Sequence, residues 1–366
     1  MAVKARVDRP FLITTVILIV AGFFIFSSAS LGLLAKESSN YSNVAFSQTV
    51  LGLFLGTLAM IIASRLDYKL WRKYAFVVLV VAVIINILVL IPHIGVEHAG
   101  ARRWLYLGPF SFQPSELLKL GFIIYLSAWF ASVKDKVKTW RYGFLPFLIL
   151  LTITAGLLLS QPDTDNLMLL AFTGTAMFIA AGGKWRYVGI IIVSGILCLA
   201  MLAMTRPYLR QRIMTFTDPS ADAQGAGWQI QQSLIAIGSG GLFGSGFGQS
   251  VQKFTYLPEP VGDSIFAVAS EEFGFVGSVS LVLLFVVFAT RGLKVASIAQ
   301  DSFGRLLIVG IVIMITAQAF INIGAMLGMI PLSGITLPFV SHGGTSLFFT
   351  LFEVGIVLSA SKHRES

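Results

Sequence analysis

The feature that most constrains this chain is a series of long apolar segments. Ten stretches of roughly 20 mainly apolar residues run at approximately 11–34, 44–64, 74–92, 114–132, 143–160, 164–182, 185–204, 264–290, 306–330 and 343–361. A helix of about 20 such residues covers the ~30 Å hydrocarbon core of a bilayer. The runs are continuous and lack the period-two alternation of barrel strands, so helices are predicted. Only 12% of the 366 residues are charged, about half the ~25% of an ordinary soluble domain. Much of the surface must therefore meet lipid. The fold class predicted is all-α: a polytopic membrane protein with about ten transmembrane helices. The first run follows Lys4, Arg6 and Arg9 but is too long for a signal-peptide core and lacks a convincing cleavage site, so it reads as a retained helix. The single cysteine, Cys198, falls in the seventh run. It can form no intrachain disulfide and is expected to pack as a small apolar residue.

Basic residues set the expected orientation. With a cytoplasmic N-terminus, the inside segments hold clusters such as Arg65, Lys69, Arg72 and Lys73, or Lys134, Lys136, Lys138 and Arg141, and with them most of the 26 Lys and Arg residues. That bias places both termini in the cytoplasm and the chain in the cytoplasmic membrane. The net charge of +9 then reflects topology and anionic membrane lipid; no nucleic-acid motif is present. Walker A and H-E-x-x-H patterns, clustered Cys/His and a serine-nucleophile motif are also missing, which leaves ATPase, zinc hydrolase and protease readings without support.

Residues 1–366 read as one membrane domain, with 205–262 as its one large loop, expected outside. The loop has too little apolar content for a core of its own. Its middle, Gly227 to Ile237, reads as an amphipathic helix with Ile230, Leu234 and Ile237 on one side and Gln229, Gln231 and Gln232 elsewhere. Gly238, Gly240, Gly241, Gly244, Gly246 and Gly248 follow, a density that allows tight turns or close approach to a ligand. The spacing is not G-x-G-x-x-G after a strand, so a Rossmann reading is rejected.

Charges at membrane depth are costly and usually have a partner or a role. Glu116 and Lys119 stand three apart on one helix face. They read either as a self-neutralising pair or as a cationic site with Glu116 orienting Lys119. Arg102 and Arg103, beside Trp104, could anchor to headgroups or grip a pyrophosphate bidentately. Asp263 opens the eighth helix, where a carboxylate can cap, catalyse or both. Glu271 and Glu272 follow and should point about 100° apart, one toward a partner and one structural. Glu353 needs a partner, whereas Asp163 and Asp165 read as solvated loop residues. His342-Gly343-Gly344-Thr345-Ser346 opens the tenth helix after Pro338, either as an ordinary turn and cap or with glycines and hydroxyls that expose helix N–H groups to an anion.

Eight motifs, in order along roughly residues 10–360, carry a resemblance. They are Gly100-Ala-Arg-Arg-Trp104, Gln113-Pro-Ser-Glu-Leu-Leu-Lys119, Gln161-Pro-Asp163, the run from Gly227-Trp-Gln to Gly248, Tyr256-Leu-Pro-Glu259, Asp263 with Ile265-Phe-Ala-Val268, Glu271-Glu-Phe-Gly274, and Leu337-Pro-Phe-Val-Ser-His-Gly-Gly344. Together they resemble the SEDS family, whose members include RodA and FtsW. The resemblance implies ten helices, polymerisation of the polyprenyl-linked disaccharide peptide lipid II, and a class B penicillin-binding protein as partner transpeptidase. It maps the family's essential aspartate onto Asp263 and implies substrate contacts at Arg102, Arg103, Glu116, Lys119, Glu259, Glu271 and Ser341 to Gly344. It admits a divalent cation, Mg or Mn, and no organic cofactor. This sequence has Val261-Gly262 and Ser264 where the family has His-Thr and Phe, and His342 where Tyr is usual. Pro162-Asp163-Thr164-Asp165 stands in place of Pro-Asp-x-Gly. Ala101 to Trp104 and Gln252 to Pro260 are nearer the division members; Gln161 to Asp163 is nearer the elongation members, and the division type is preferred.

The chemistry that follows is one inverting displacement with Asp263 as general base. Arg102, Arg103 and Lys119 would stabilise the leaving pyrophosphate, and the apolar spans would hold the prenyl tail. The rival readings are a lipid II flippase, which would need charge through the full membrane depth, and a non-catalytic division scaffold, for which Asp263 would be dispensable.

Overall fold

A computed structural model describes residues 7–36, 38–98, 101–107, 110–218 and 225–362. Helix α1 is Arg9–Lys36. Helix α2 (Ser38–Phe46) runs through a π-helical stretch (Ser47–Leu55) into α3 (Gly56–Arg65), and a short α4 (Lys69–Lys73) precedes α5 (Ala75–Leu90). Three strands follow: β1 (Gly95–His98), β2 (Ala101–Leu107) and β3 (Phe110–Phe112). Next come α6 (Pro114–Val133), α7 (Leu145–Ser160), α8 (Thr164–Ala180) and α9 (Trp185–Thr205). The long loop holds α10 (Pro207–Thr217), α11 (Ala226–Ser239) and the single turn α12 (Gln252–Thr255). Helices α13 (Ile265–Ser297), α14 (Ser302–Met326) and α15 (Gly344–Ala360) complete the chain.

Among the described residues, seven helical segments are long and apolar enough to cross a membrane, and three shorter apolar helices, α5, α8 and α15, bring the set to ten. All ten fall where the apolar runs predict. Local chemistry starts them: Pro114 supplies the fixed φ suited to the first turn of α6, and Asp301 caps α14 by accepting the Gly304 N–H at 2.7 Å.

Helix α14 is central, packed against α6, α8, α13 and α15, with Leu307, Ile308, Ile311 and Ala319 fully buried. Between lipid-embedded helices no water is expelled, so close packing decides which pairs form. The α3–α15 pair shows how: a Cβ on Gly355 would lie 2.5 Å from the Met60 carbonyl oxygen, so only glycine lets the backbones meet. Helix α9 lies at the edge, with Ile192, Val193, Ile196, Leu197 and Met201 exposed. Cys198, expected to pack inside, is exposed on the same helix. Exposed apolar side chains on that scale suit hydrocarbon, not water.

Two features depart from the sequence reading. The connection between α5 and α6 is a three-stranded antiparallel meander, β1-β2-β3, with Val96 opposite Trp104 and Leu105 opposite Phe112. Its strands are too short for their alternation to stand out beside the apolar spans. The second departure is a break in α13. As one helix its 33 residues would reach about 50 Å, well beyond a bilayer core, but Gly274 (φ 66, ψ −164) interrupts it.

The glycine-rich segment fills that break. Ser245 N–H donates to Glu271 O (2.9 Å) and Gly246 N–H to Glu272 O (3.0 Å), while Phe275 N–H donates to Gly241 O (2.8 Å) and Val276 N–H to Leu242 O (3.1 Å). The loop thus satisfies four groups orphaned by the break, which could not be left bare at this depth. A Cβ on Gly244 would sit 2.1 Å from the Glu272 oxygen, so the approach demands glycine there.

Candidate active site

Asp263 lies in the turn that ends the long loop, immediately before α13. Glu259, in the left-handed region at φ 47, accepts at its carbonyl the N–H of Gly262 (3.0 Å) and of Ser264 (3.3 Å), folding the turn tightly. Three other elements hold it. From α11, Gln229 Nε2 donates to Asp263 Oδ1 (3.0 Å) and to Ser264 Oγ (2.9 Å). From α14, Asn322 Nδ2 donates to the Asp263 carbonyl and to the Ile335 carbonyl, both at 2.8 Å. From the segment before α15, Ser341 Oγ donates to Gly262 O (2.7 Å) and His342 N–H to Val261 O (2.7 Å). Burial first, and the nearby Glu259 charge second, push the Asp263 carboxyl up to about 7; the Gln229 hydrogen bond opposes them.

The sequence-predicted residues Ser341, His342 and Gly343 therefore do reach the Asp263 turn, but not as an open anion cradle. Their N–H groups are already committed, to Leu337 O, Val261 O and Gln48 Oε1 respectively. Gly344 has no room for a side chain, since a Cβ would lie 2.4 Å from Ser47 Oγ. The His342 ring is buried and stacked on Phe26. Burial lowers its pKa to about 4, so it is neutral near pH 7, and its Nε2 has no partner among the described residues.

Lys119 and Glu116 are both buried on α6. Lys119 Nζ donates to Glu116 Oε1 (2.9 Å) and to Gln318 Oε1 (3.0 Å). Gln318 Nε2 in turn donates to Thr336 O (3.0 Å). The pair is thus wired through α14 to the segment that carries Ser341. Arg103 donates from Nε to Gln161 O (3.0 Å) and from Nη2 to Pro162 O, clasping the α7–α8 turn with its guanidinium. Arg103 is the unpaired residue of an irregularity in β2, between Arg102 opposite Glu97 and Trp104 opposite Val96. Asp163 and Asp165, read as merely solvated, are not. Asp163 is buried and accepts from Asn166 N–H and Nδ2. Burial raises its pKa, an effect the Arg103 charge opposes. Asp165 pairs with Arg212 Nη1 at 2.8 Å.

Glu271 and Glu272 are both buried and both serve the loop, contrary to the expected split. Glu271 accepts from Ser250 Oγ (2.5 Å) and Val251 N–H (2.8 Å). Glu272 pairs with Lys253 at 2.6 Å and accepts from Ser28 Oγ. The helical-wheel expectation assumes an unbroken helix, and α13 ends its first segment here. In helix α11 the buried set mixes both expected sides: Ile230 is buried and Ile237 packs on the core, but Gln229, Gln232 and Ser233 are buried with them while Leu234 is exposed.

A family model described as "Cell cycle protein", covering FtsW, RodA and SpoVE, matches residues 9–366. A probable peptidoglycan glycosyltransferase FtsW of Geobacter metallireducens is 41% identical over 84% of this chain and 82% of its own length. The chain belongs to the FtsW/RodA/SpoVE family. Another member, stage V sporulation protein E of Bacillus subtilis, is 38% identical over 98% of both chains. Among solved structures, a chain of a peptidoglycan synthase complex that coordinates polymerization and crosslinking superposes with a TM-score of 0.77, at 28% identity and 98% coverage of both chains. RodA of Thermus thermophilus superposes at 0.68, with 27% identity and the same coverage. The protein is a multi-pass helical membrane protein of this family.

Sequence reasoning found Ser341 and His342 but missed the amides that hold the site. Gln48, Gln229, Gln318 and Asn322 are all buried amides. Gln318 and Asn322 carried a signal, because two amides four apart share one face of an otherwise apolar helix.

Proposed function

We propose that this chain is a peptidoglycan glycosyltransferase that polymerises lipid II at the outer face of the cytoplasmic membrane, with both its termini in the cytoplasm. The observation that carries the reading is Asp263: a carboxylate with a pKa near 7, where three elements of the bundle converge on the end of the large loop. A general base works best with a pKa near the working pH.

In the proposed reaction the Asp263 carboxylate takes the proton of the acceptor sugar's 4-hydroxyl as that oxygen attacks the donor's anomeric carbon. The bond to the pyrophosphate oxygen breaks, polyprenyl pyrophosphate leaves, and the configuration inverts. One carboxylate suffices because the leaving group needs no protonation. Arg102 is the assigned contact for the developing pyrophosphate charge. Lys119, Glu116, Arg103 and Glu271 are assigned to positioning, on the hydrogen bonds described above. The divalent cation that the resemblance admits finds no cradle of three or more His, Cys, Asp or Glu side chains among the described residues, and no step is routed through it. A class B penicillin-binding protein is the proposed partner, supported by the likeness to the peptidoglycan synthase complex.

The test is polymerisation by the purified chain, with and without such a partner, of labelled lipid II, read as glycan length on a gel. A ladder of glycan products is expected. Lipid II left intact by the intact, partnered protein would overturn the reading.

A further inference from the structure

Helix α10 presents two faces. On one, Leu209 is buried and Arg212 meets Asp165 of α8 through Nη1 at 2.8 Å. Pro207, Arg210, Gln211 and Met214 recur at i, i+3, i+4 and i+7, so they share the opposite face. With Ala203 and Met204 at the end of α9 they line a nook of about 310 Å³. Met204 is 87% exposed and Met214 51%, so the nook opens outward from the bundle.

The nook caps an apolar stripe. Ile196, Leu197 and Met201 are exposed along α9, and the 21 residues of that helix rise about 31 Å, enough to cross a bilayer core. On the topology proposed above, the end of α9 stands at the outer boundary between hydrocarbon and headgroups. Arg206, at the junction with α10, and Arg210, one turn on, are both exposed there. Neither guanidinium has a hydrogen-bond or ion-pair partner among the described residues. A guanidinium binds phosphate oxygens through two parallel N–H donors, and the flexible thioether of methionine packs against irregular apolar surface.

Two free cations over an apolar stripe, at headgroup level, are complementary to an anion that carries an alkyl chain. We propose that the nook binds the phosphate of an anionic phospholipid of the outer leaflet, with an acyl chain lying along α9. A zwitterionic lipid is the poorer occupant, because its own ammonium would meet the arginines. Free phosphate would leave the methionines and the stripe unused. Place argues against the lipid-linked substrate: the donors that hold Asp263 come from α11, α14 and the segment before α15, whereas the nook is built from α9 and the face of α10 turned away from α8. The leaflet follows from the proposed topology; the site itself does not depend on the polymerase reading. Helix α9 packs mainly on α8 and α10, so a lipid bridging α9 and α10 would brace this edge of the bundle.

The test uses the full chain in phosphatidylcholine nanodiscs, which offer both leaflets and so do not depend on its orientation. A photoreactive phosphatidylglycerol should label the segment from Ala203 to Met214. Arg206→Gln and Arg210→Gln should each weaken that labelling about fivefold, the effect of one basic side chain at an anionic membrane surface. Both should melt like wild type in phosphatidylcholine alone, since neither side chain has a partner to lose. Ala203→Phe fills the nook without changing charge and should also lose the label. Undiminished labelling in either arginine variant, or in a folded Ala203→Phe, overturns the proposal: the first removes the cation site, and the second reduces it to general surface attraction. Equal labelling by a photoreactive phosphatidylcholine overturns it as well. Unlabelled phosphatidylglycerol should displace the label. Displacement by inorganic phosphate, or by lipid II at lower concentration than phosphatidylglycerol, would make this a site for free anions or for substrate and overturn the phospholipid assignment.

Discussion

Asp263 sits where burial and a second carboxylate, Glu259, both disfavour its ionised form. A base must be ionised to accept a proton, so the raised pKa fixes the direction of the pH dependence. Polymerisation should rise as pH increases through about 7 and fall about tenfold per unit on the acid side. Glu259→Gln removes one of the two causes of the shift, so the midpoint of the kcat/KM profile should move to lower pH. An unmoved midpoint would mean that another group sets the profile. Asp263 was legible in the sequence, as a charge at the mouth of an apolar run. Its holders, Gln229 and Asn322, were not. An amide on an amphipathic helix counts as part of the wet face by pattern alone, and only the tertiary fold turns Gln229 inward toward the carboxylate.

At the scale of elements, the break in α13 and the loop inside it form one unit. Gly274 has a backbone conformation that other residues avoid, and a Cβ there would lie 2.3 Å from Gly244 N. Gly274→Ala should therefore cost at least ~1–3 kcal/mol and lower the melting temperature in detergent. The Lys253–Glu272 pair, whose side chains are 0% and 1% exposed, ties the same loop to α1 through Ser28. Glu272→Ala leaves the ammonium buried and unpaired, for an expected loss of ~3–5 kcal/mol. Unchanged melting of both variants would show that the loop is not held by this break. The apolar runs revealed α13 as a span but not its interruption. Gly274 looks like any glycine in a helix until the glycines near 244 are seen to supply the missing hydrogen bonds.

For the molecule as a whole, the ten spans were legible because a bilayer imposes length and apolarity on every crossing helix. The order in which they pack was not, because it depends on close backbone contacts such as Gly355 against Met60, which leave no periodic trace. Orientation follows from basic residues and is directly testable. In a Cys198→Ser background, an impermeant thiol reagent should label Ser111→Cys in intact cells, and Asp135→Cys only after permeabilisation; the reverse pattern would invert the topology and put Asp263 on the wrong face. In the proposed reaction this carboxylate drives lipid II polymerisation. Its most direct test is purified Asp263→Asn with its partner, assayed for glycan product alongside lipid II binding. Its rate should be lower by about 10²–10⁴ with binding retained. Wild-type polymer yield from Asp263→Asn would contradict that role.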